Sequence, residues 1–331
     1  MYHLIVNPSS HSGSHTDVPE KLEQYLRMEN IPVCRYESTA PGGAGKLAAQ
    51  ITSGKGTKDS AGRETIVIFG GDGTINEVIN GIRDFRNCCV GIVPSGSGND
   101  FARGLALPPD PEIVLHRIVK GQVRRIIDLG RIVYHHTGSR RSRLHDQADD
   151  KKPEKENLQR LFCVSAGIGL DAAICEEALI SPVKNFFNRF HLGSLTYGII
   201  GLRQVITCPK VRAEAELEDG SIICTDHLFF SAFMNESFEG GGYRFAPDAS
   251  DTDGLLNMVM IGDVSVPKAL LSFPAAHAGR CYSIKGVRHF PVKKVRFRTS
   301  EPLWVHTDGE VSFQSDDITV ECLPRRLSLI V

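Results

Sequence analysis

The sequence predicts two folded parts of different class: an α/β domain built on a parallel sheet with helices on both faces, then a mainly antiparallel β-sandwich domain. Three observations carry this. From residue 2 to about 130, short apolar runs alternate with helical spacing, the pattern of a parallel sheet covered by helices. Past residue 160 the texture becomes alternating apolar and polar with hairpin signals. Between them lies GSRRSRLHDQADDKKPEKENLQR (138–160), almost devoid of apolar residues, which reads as a solvated loop insertion. At about 150 residues per domain, the 331 residues suit two domains.

In order, HLIV (3–6), PVCRY (32–36), TIVIF (65–69) and CVGIV (89–93) read as buried strands. Between the first two, Val18, Leu22, Tyr25 and Leu26 share a helical face, with Asp17 as cap and Pro19 in the first turn. After the third strand, Ile75, Val78, Ile79 and Ile82 follow i, i+3, i+4, i+7 spacing, and Thr74 with Glu77 fits a capping box. In VRAEAELEDGSIICTDHLFFSAFM, Asp219-Gly220 suits a primed hairpin turn. Helical stretches fall near 171–180, 193–206 and 266–277, and DDITVECLPRRLSLIV supplies two apolar runs around Pro324 that return to finish a sheet.

Composition narrows the function classes. Apolar residues at 41% and charged residues at 23% exclude a disordered or membrane-embedded chain. A formal net charge of -1 gives no global attraction to nucleic acid, so no such partner is expected. Nine cysteines without a C-x-x-C pair read as free thiols of a reducing cytoplasm. MYHLIVNPSS has no basic n-region and reads as a first strand, and LGSLTYGIIGLRQVI is broken by Arg203 before a bilayer is crossed.

The sharpest local feature is ETIVIFGGDGTINEVINGI (64–82), where an apolar strand runs into Gly70-Gly71-Asp72-Gly73-Thr74 and then a helix. Glycines at the carboxyl end of a parallel strand let backbone amides approach an anion, and the helix start adds partial positive charge. Asp72 would repel a bare phosphate. A divalent cation bridging carboxylate and phosphate reverses that sign, which points to Mg²⁺ with a nucleotide. Two more strands end alike, in Asn7-Pro8-Ser9-Ser10-His11-Ser12-Gly13 and in Pro94-Ser95-Gly96-Ser97-Gly98-Asn99-Asp100, so three loops should meet at one crevice.

Competing motifs fit less well. SGKGTK (53–58) has Gly56 where a P-loop needs Ser or Thr after the lysine. GIGLDA (167–172) matches a dinucleotide fingerprint, yet no βαβ unit with a following acidic residue accompanies it. Asp251 and Asp253 alternate as in an EF-hand but lack the rest of that loop. KNFFNRFH (184–191) mixes aromatic and basic residues, either core or an interfacial contact.

Together IVNPSS near the start, GGDGTINEV, PSGSGNDFAR (94–103), GIGLDA, GGGYRFAPDASDTDGLL (240–256) and TDGE (307–310) resemble the diacylglycerol kinase catalytic family of bacterial lipid kinases, related to sphingosine and ceramide kinases and to NAD kinase. The resemblance implies an NAD kinase-like ATP-binding domain over 1–130 plus the segment from about 316 to 331, and a β-sandwich lipid domain over 131–315, the two enclosing a cleft. The implied activity is ATP-dependent phosphorylation of a lipid hydroxyl, diacylglycerol first among acceptors. A sphingoid or other lipid kinase, an NAD kinase and a non-catalytic nucleotide-binding module are the alternatives.

By motif, Asn7, Pro8, Ser9, Ser10, His11, Ser38, Gly71, Asp72, Gly73, Thr74, Ile75, Asn76, Glu77 and Ser97 would hold the nucleotide. Carbonyls of Ser250 and Leu255 with the Asp253 carboxylate would bind a structural Mg²⁺. Glu310 would be the general base, with Asp308 beside it and Asp72 also in the catalytic set. The two neighbouring carboxylates of TDGE would then need a metal or a raised pKa to relieve their repulsion. The resemblance further implies a cytoplasmic enzyme acting peripherally at a membrane on a lipid substrate; a homodimer is compatible with it.

Overall fold

The computed structural model describes residues 1–10, 17–53, 63–120, 124–138, 158–180, 193–207 and 209–331. His11, most of the charged insertion and KNFFNRFH therefore lie outside the described residues. The chain divides into two units: Met1–Leu129 with Asp251–Gly254 and Leu323–Val331, and Gly130–Ser250 with Leu255–Cys322.

The first unit opens with β1 (Tyr2–Val6), α1 (Val18–Met28), β2 (Val33–Glu37), α2 (Gly43–Thr52), β3 (Glu64–Gly70), α3 (Asp72–Gly81) and β4 (Cys88–Pro94). Then come α4 (Asp100–Gly104), α5 (Pro111–Lys120) and the start of β5 (Arg124–Tyr134). Strands pair in parallel in the order β2-β1-β3-β4, and Leu329 and Ile330 at the chain end pair in parallel with β4. Residues of β3 are buried throughout, as a strand covered on both faces requires. Leu4, Val6, Val67 and Phe69 pack with Val18, Leu22 and Leu26 of α1 and with Val114 and Ile118 of α5. β2 differs from expectation: as the sheet edge it is only half buried. Tyr25 is also 44% exposed, because the helix turns that position away from Leu22 and Leu26.

The second unit continues β5 and adds β6 (Gln159–Phe162), β7 (Ser165–Gly169), α6 (Leu170–Ile180), α7 (Gly193–Thr207), β8 (Val211–Leu217) and β9 (Ile222–Met234). β10 (Leu256–Gly262), α8 (Val266–His277), β11 (Val287–Val292), β12 (Lys294–Thr307) and β13 (Glu310–Ile330) complete it, β13 running on into the first unit's return. Its pairings are antiparallel, in the order β11-β10-β9-β7-β12-β13, with β8 joined to β9 and β12. Phe233 and Phe297 meet edge to face at 5.7 Å in a core shared with Ile168, Met258 and Val305.

One turn departs from expectation. The β8–β9 connection is not a primed two-residue turn, since only Gly220 takes a positive φ. Asp219 instead accepts hydrogen bonds from the Ser221 amide at 2.9 Å and its hydroxyl at 2.6 Å, an Asx-type turn. The run around Pro324 is one bent strand, with Arg325 at φ 51° just after the proline.

α2 and α3 approach backbone to backbone at Gly45 and Gly81, where a Cβ on Gly81 would lie 2.1 Å from the Gly45 carbonyl oxygen. Alanine at a helical glycine gains at most about 1 kcal/mol of propensity. A clash against backbone cannot rotate away and costs about 1–3 kcal/mol. Gly81→Ala is therefore expected to lower the urea midpoint; a raised midpoint would show that the helices separate freely.

Candidate active site

In the first unit the carboxyl ends of β1, β3 and β4 form one rim, tied by backbone bonds from Asn7 N–H to Phe69 O (3.0 Å) and from Ser95 N–H to Gly70 O (3.1 Å). The loops are also stitched by side chains. Asn7 Nδ2 donates to Thr74 Oγ1 at 2.9 Å, and the Ser10 and Ser95 hydroxyls meet at 2.9 Å. Pro8, Ser9 and Ser10 form a single 3-10 turn started by the Ser9 N–H on Asn7 Oδ1. The three loops expected to converge do so.

The glycines have a packing role. Gly71 and Gly96 face each other, and a Cβ on Gly96 would lie 2.6 Å from Gly71 Cα. Only without side chains can the β3 and β4 loops touch. α3 begins at Asp72, so Gly73 and Thr74 present backbone N–H groups that the helix cannot satisfy. Such a helix start suits phosphate oxygens.

One expectation about this loop needs correction, and its other residues take the following places. Thr74 and Glu77 form no capping box: Gly71 is the N-cap, and Thr74 is engaged by Asn7. The Glu77 carboxylate accepts instead from Gly42 N–H at 2.8 Å and Ala44 N–H at 3.2 Å, capping α2 across the helix pair. Ile75 is a core residue and its amide is spent on Gly71 O, while Asn76 is fully buried and accepts from Asn80. Asp72 Oδ2 and Oδ1 accept from Asp100 N–H (3.2 Å) and Phe101 N–H (3.3 Å), so amides at the start of α4 meet its charge. Ser97 is exposed on the β4 loop, and Ser38, 7% exposed, closes the end of β2 through its N–H on Val6 O. Asp17 stands at the N-cap of α1 without a capping bond and pairs with Lys21.

The acidic run at 250–255 is similarly divided. Asp251, 1% exposed, gives its carboxylate to Arg125, and its carbonyl accepts the Asp128 N–H at 2.7 Å. Asp128, fully buried, accepts from Gly254 N–H and Arg325 N–H, both at 2.6 Å. This carboxylate ties β5, the 251–254 turn and the returning strand into one unit. Asp253 is exposed and Ser250 and Leu255 are half-buried. With Asp251 consumed, Asp253 is the carboxylate of the run left at the surface, and a carboxylate with main-chain carbonyls is the oxygen donor chemistry that Mg²⁺ takes.

In the second unit TDGE is the turn between β12 and β13, with Thr307 paired to Glu310. Asp308 at φ 50° and Gly309 at φ 80° make it a primed hairpin turn. Backbone amides meet the charge of Asp308. Its carboxylate accepts from the amides of Cys163 (2.9 Å), Val164 (2.8 Å) and Ser165 (3.2 Å), and its own N–H donates to Ser165 O at 2.9 Å. Asn235 braces the same segment, Nδ2 donating to Cys163 O at 2.7 Å and its amide to Val164 O at 2.8 Å. Glu310, half-buried, opens β13 just beyond this clamp.

A group missed in the sequence lies beside it. His306, fully buried, has Nε2 3.2 Å from Asp171 Oδ2 and 3.1 Å from Glu239 Oε1. Burial opposes charging the ring, but the hydrogen bonds to both carboxylates outweigh it and raise its pKa well above the usual imidazole value. Burial also pushes the neighbouring Cys175 thiol up to about 11, which removes it as a nucleophile near neutrality. The available signal was the Asp of GIGLDA and the His before TDGE, but nothing local pairs them.

Residues 1–132 match the family described as "Diacylglycerol kinase catalytic domain", and residues 165–331 match "YegS C-terminal NAD kinase beta sandwich-like domain". A protein of Bacillus subtilis (strain 168) named "Diacylglycerol kinase" is 27% identical over 312 residues, 93% of this chain and 88% of its own. A crystal structure from Bacillus anthracis str. Sterne superposes with a TM-score of 0.72 at 20% identity, covering 99% of this chain and 96% of its own. An Archaeoglobus fulgidus NAD kinase in complex with ATP superposes at 0.51 and 13% identity, covering 100% and 94%. The α/β and β-sandwich architecture is thus shared with both kinds of kinase.

Because Thr74 and Glu77 serve different partners, a double-mutant cycle of Thr74→Ala and Glu77→Ala should show coupling within about 0.5 kcal/mol. Coupling above about 1 kcal/mol would restore the capping box.

Proposed function

Since the chain belongs to the family that joins a diacylglycerol kinase catalytic domain to a YegS C-terminal NAD kinase beta sandwich-like domain, a family of lipid kinases, we propose that it transfers the γ-phosphoryl group of ATP to the hydroxyl of diacylglycerol, giving phosphatidic acid. The observation that carries this reading is the stitched rim of β1, β3 and β4, where three loops and one helix start gather backbone donors at a single edge of a parallel sheet. Phosphoryl transfer needs chiefly positioning and charge neutralisation, which such a rim supplies.

In this reading the Gly73 and Thr74 amides hold phosphate oxygens, while Asn7 and Ser10 keep the rim rigid through Thr74 and Ser95. Asp72, held by the α4 amides, keeps its carboxylate fixed beside the phosphates. Ser250, Asp253 and Leu255 would hold a structural Mg²⁺, which when bound would supply positive charge to that turn. Glu310 takes the proton of the acceptor hydroxyl, and its neighbour Asp308 takes none because three amides already occupy it. A lipid acceptor implies work at a membrane surface. No helix among the described residues is long and apolar enough to cross one. Leu202 and Ile206, one turn apart on α7 and 46% and 63% exposed, offer apolar side chains to such a surface.

Incubation with radiolabelled ATP and a lipid extract tests the proposal, with labelled phosphatidic acid expected. Glu310→Ala should reduce labelling about 10²- to 10⁴-fold, the usual worth of a general base. Label in another phospholipid would reassign the acceptor, label transferred to added NAD would favour the nicotinamide kinase alternative, and wild-type turnover by Glu310→Ala would remove the base.

A further inference from the structure

We propose that His306 is a positioning residue for Glu310: one ring nitrogen holds the Gly309 amide inside the catalytic turn while two carboxylates hold the other. The inference deepens the kinase reading and rests on it. Gly309 N–H lies 3.2 Å from His306 Nδ1 in donor geometry. A backbone N–H only donates, so Nδ1 must be unprotonated and the ring proton sits on Nε2. Nε2 then donates toward Asp171 of α6 and Glu239 of the loop after β9. The pull of the two carboxylates on a ring proton is thus met at Nε2, while the Gly309 N–H keeps Nδ1 an acceptor.

The same bond rules out another use of the cluster. Ligand atoms of Asp171, Glu239 and His306 lie within 4.8 Å of one another, close enough for a metal ion. A ligating Nε2 would need its lone pair, leaving Nδ1 to carry hydrogen and donate. Gly309 presents a donor there, so a metal would face two opposed N–H groups. A proton-bearing Nε2 satisfies every partner instead.

GIGLDA acquires a physical meaning in this arrangement. A Cβ on Gly167 would lie 1.8 Å from Asp171 Oδ2 and 2.5 Å from His306 Nε2, so the first glycine of the motif leaves the space in which the two side chains meet. Asp171 anchors the ring from α6, the ring anchors Gly309, and Gly309 precedes the base. Asp308 fixes the turn from its other side, so two independent side chains immobilise one tight turn.

Two substitutions separate the ring nitrogens. His306→Gln keeps an N–H donor for the carboxylates but loses the acceptor for Gly309, whereas His306→Asn keeps an oxygen where Nδ1 stood and loses the reach to Asp171 and Glu239. H306Q should lose about 10- to 100-fold in kcat with the KM for ATP unchanged. H306N should exceed H306Q in kcat although its melting temperature is the lower of the two. Exchange of the Gly309 amide, followed in parallel, should accelerate in H306Q and stay protected in H306N. Equal Gly309 protection in both variants, or turnover that merely tracks melting temperature, overturns the proposal. If Gly309 behaves as expected but the wild-type chain phosphorylates no lipid, the kinase reading fails and takes the catalytic role with it.

Discussion

The turn that opens β13 in the second unit depends on one carboxylate held by backbone amides. Asp308 sits in a left-handed conformation, which costs a non-glycine residue about 1–2 kcal/mol. Three amides of residues 163–165 hydrogen-bond its carboxylate, and bonds to a charged group contribute about 1.5–3 kcal/mol each. The bonds outweigh the strain, so the turn holds the one conformation in which Asp308 faces inward and Glu310 starts a new strand. Asn235 and the Asp171–His306–Glu239 group then brace that arrangement from neighbouring elements.

The first unit uses carboxylates the same way. Glu77 caps α2, Asp72 meets the start of α4, and Asp128 gathers Gly254 and Arg325. Each spends its charge on backbone N–H groups of a loop or helix start that the fold could not otherwise satisfy. Acidic residues that a motif marks as functional thus include some that build the loops, Asp251 and Asp308 among them.

The parallel strands were legible because burial on both faces writes an unbroken apolar run, as in β3, and the interface of α3 followed from Ile75, Val78 and Ile79. Convergence of the three loops was legible too, since strand polarity alone places their turns at one rim. What failed was the partner of each polar group. Thr74 and Glu77 have capping-box spacing, but the donor to Glu77 arrives from the N-cap of α2, 35 residues away at Gly42. His306 and Asp171 stand 135 residues apart and share no periodicity. Asp308 and Glu310 looked like a repelling pair because the amides that meet Asp308 come from residues 163–165, remote in sequence.

The most direct measurement follows amide exchange at Cys163, Val164 and Ser165 in Asp308→Gly. Glycine accepts the left-handed backbone without strain, so the turn keeps its shape while the carboxylate is removed. The account predicts that the three amides exchange about 10- to 100-fold faster, the loss expected when charge-assisted bonds worth ~1.5–3 kcal/mol disappear. Unchanged protection at all three positions, or a more stable protein, would contradict the claim that this side chain holds the turn.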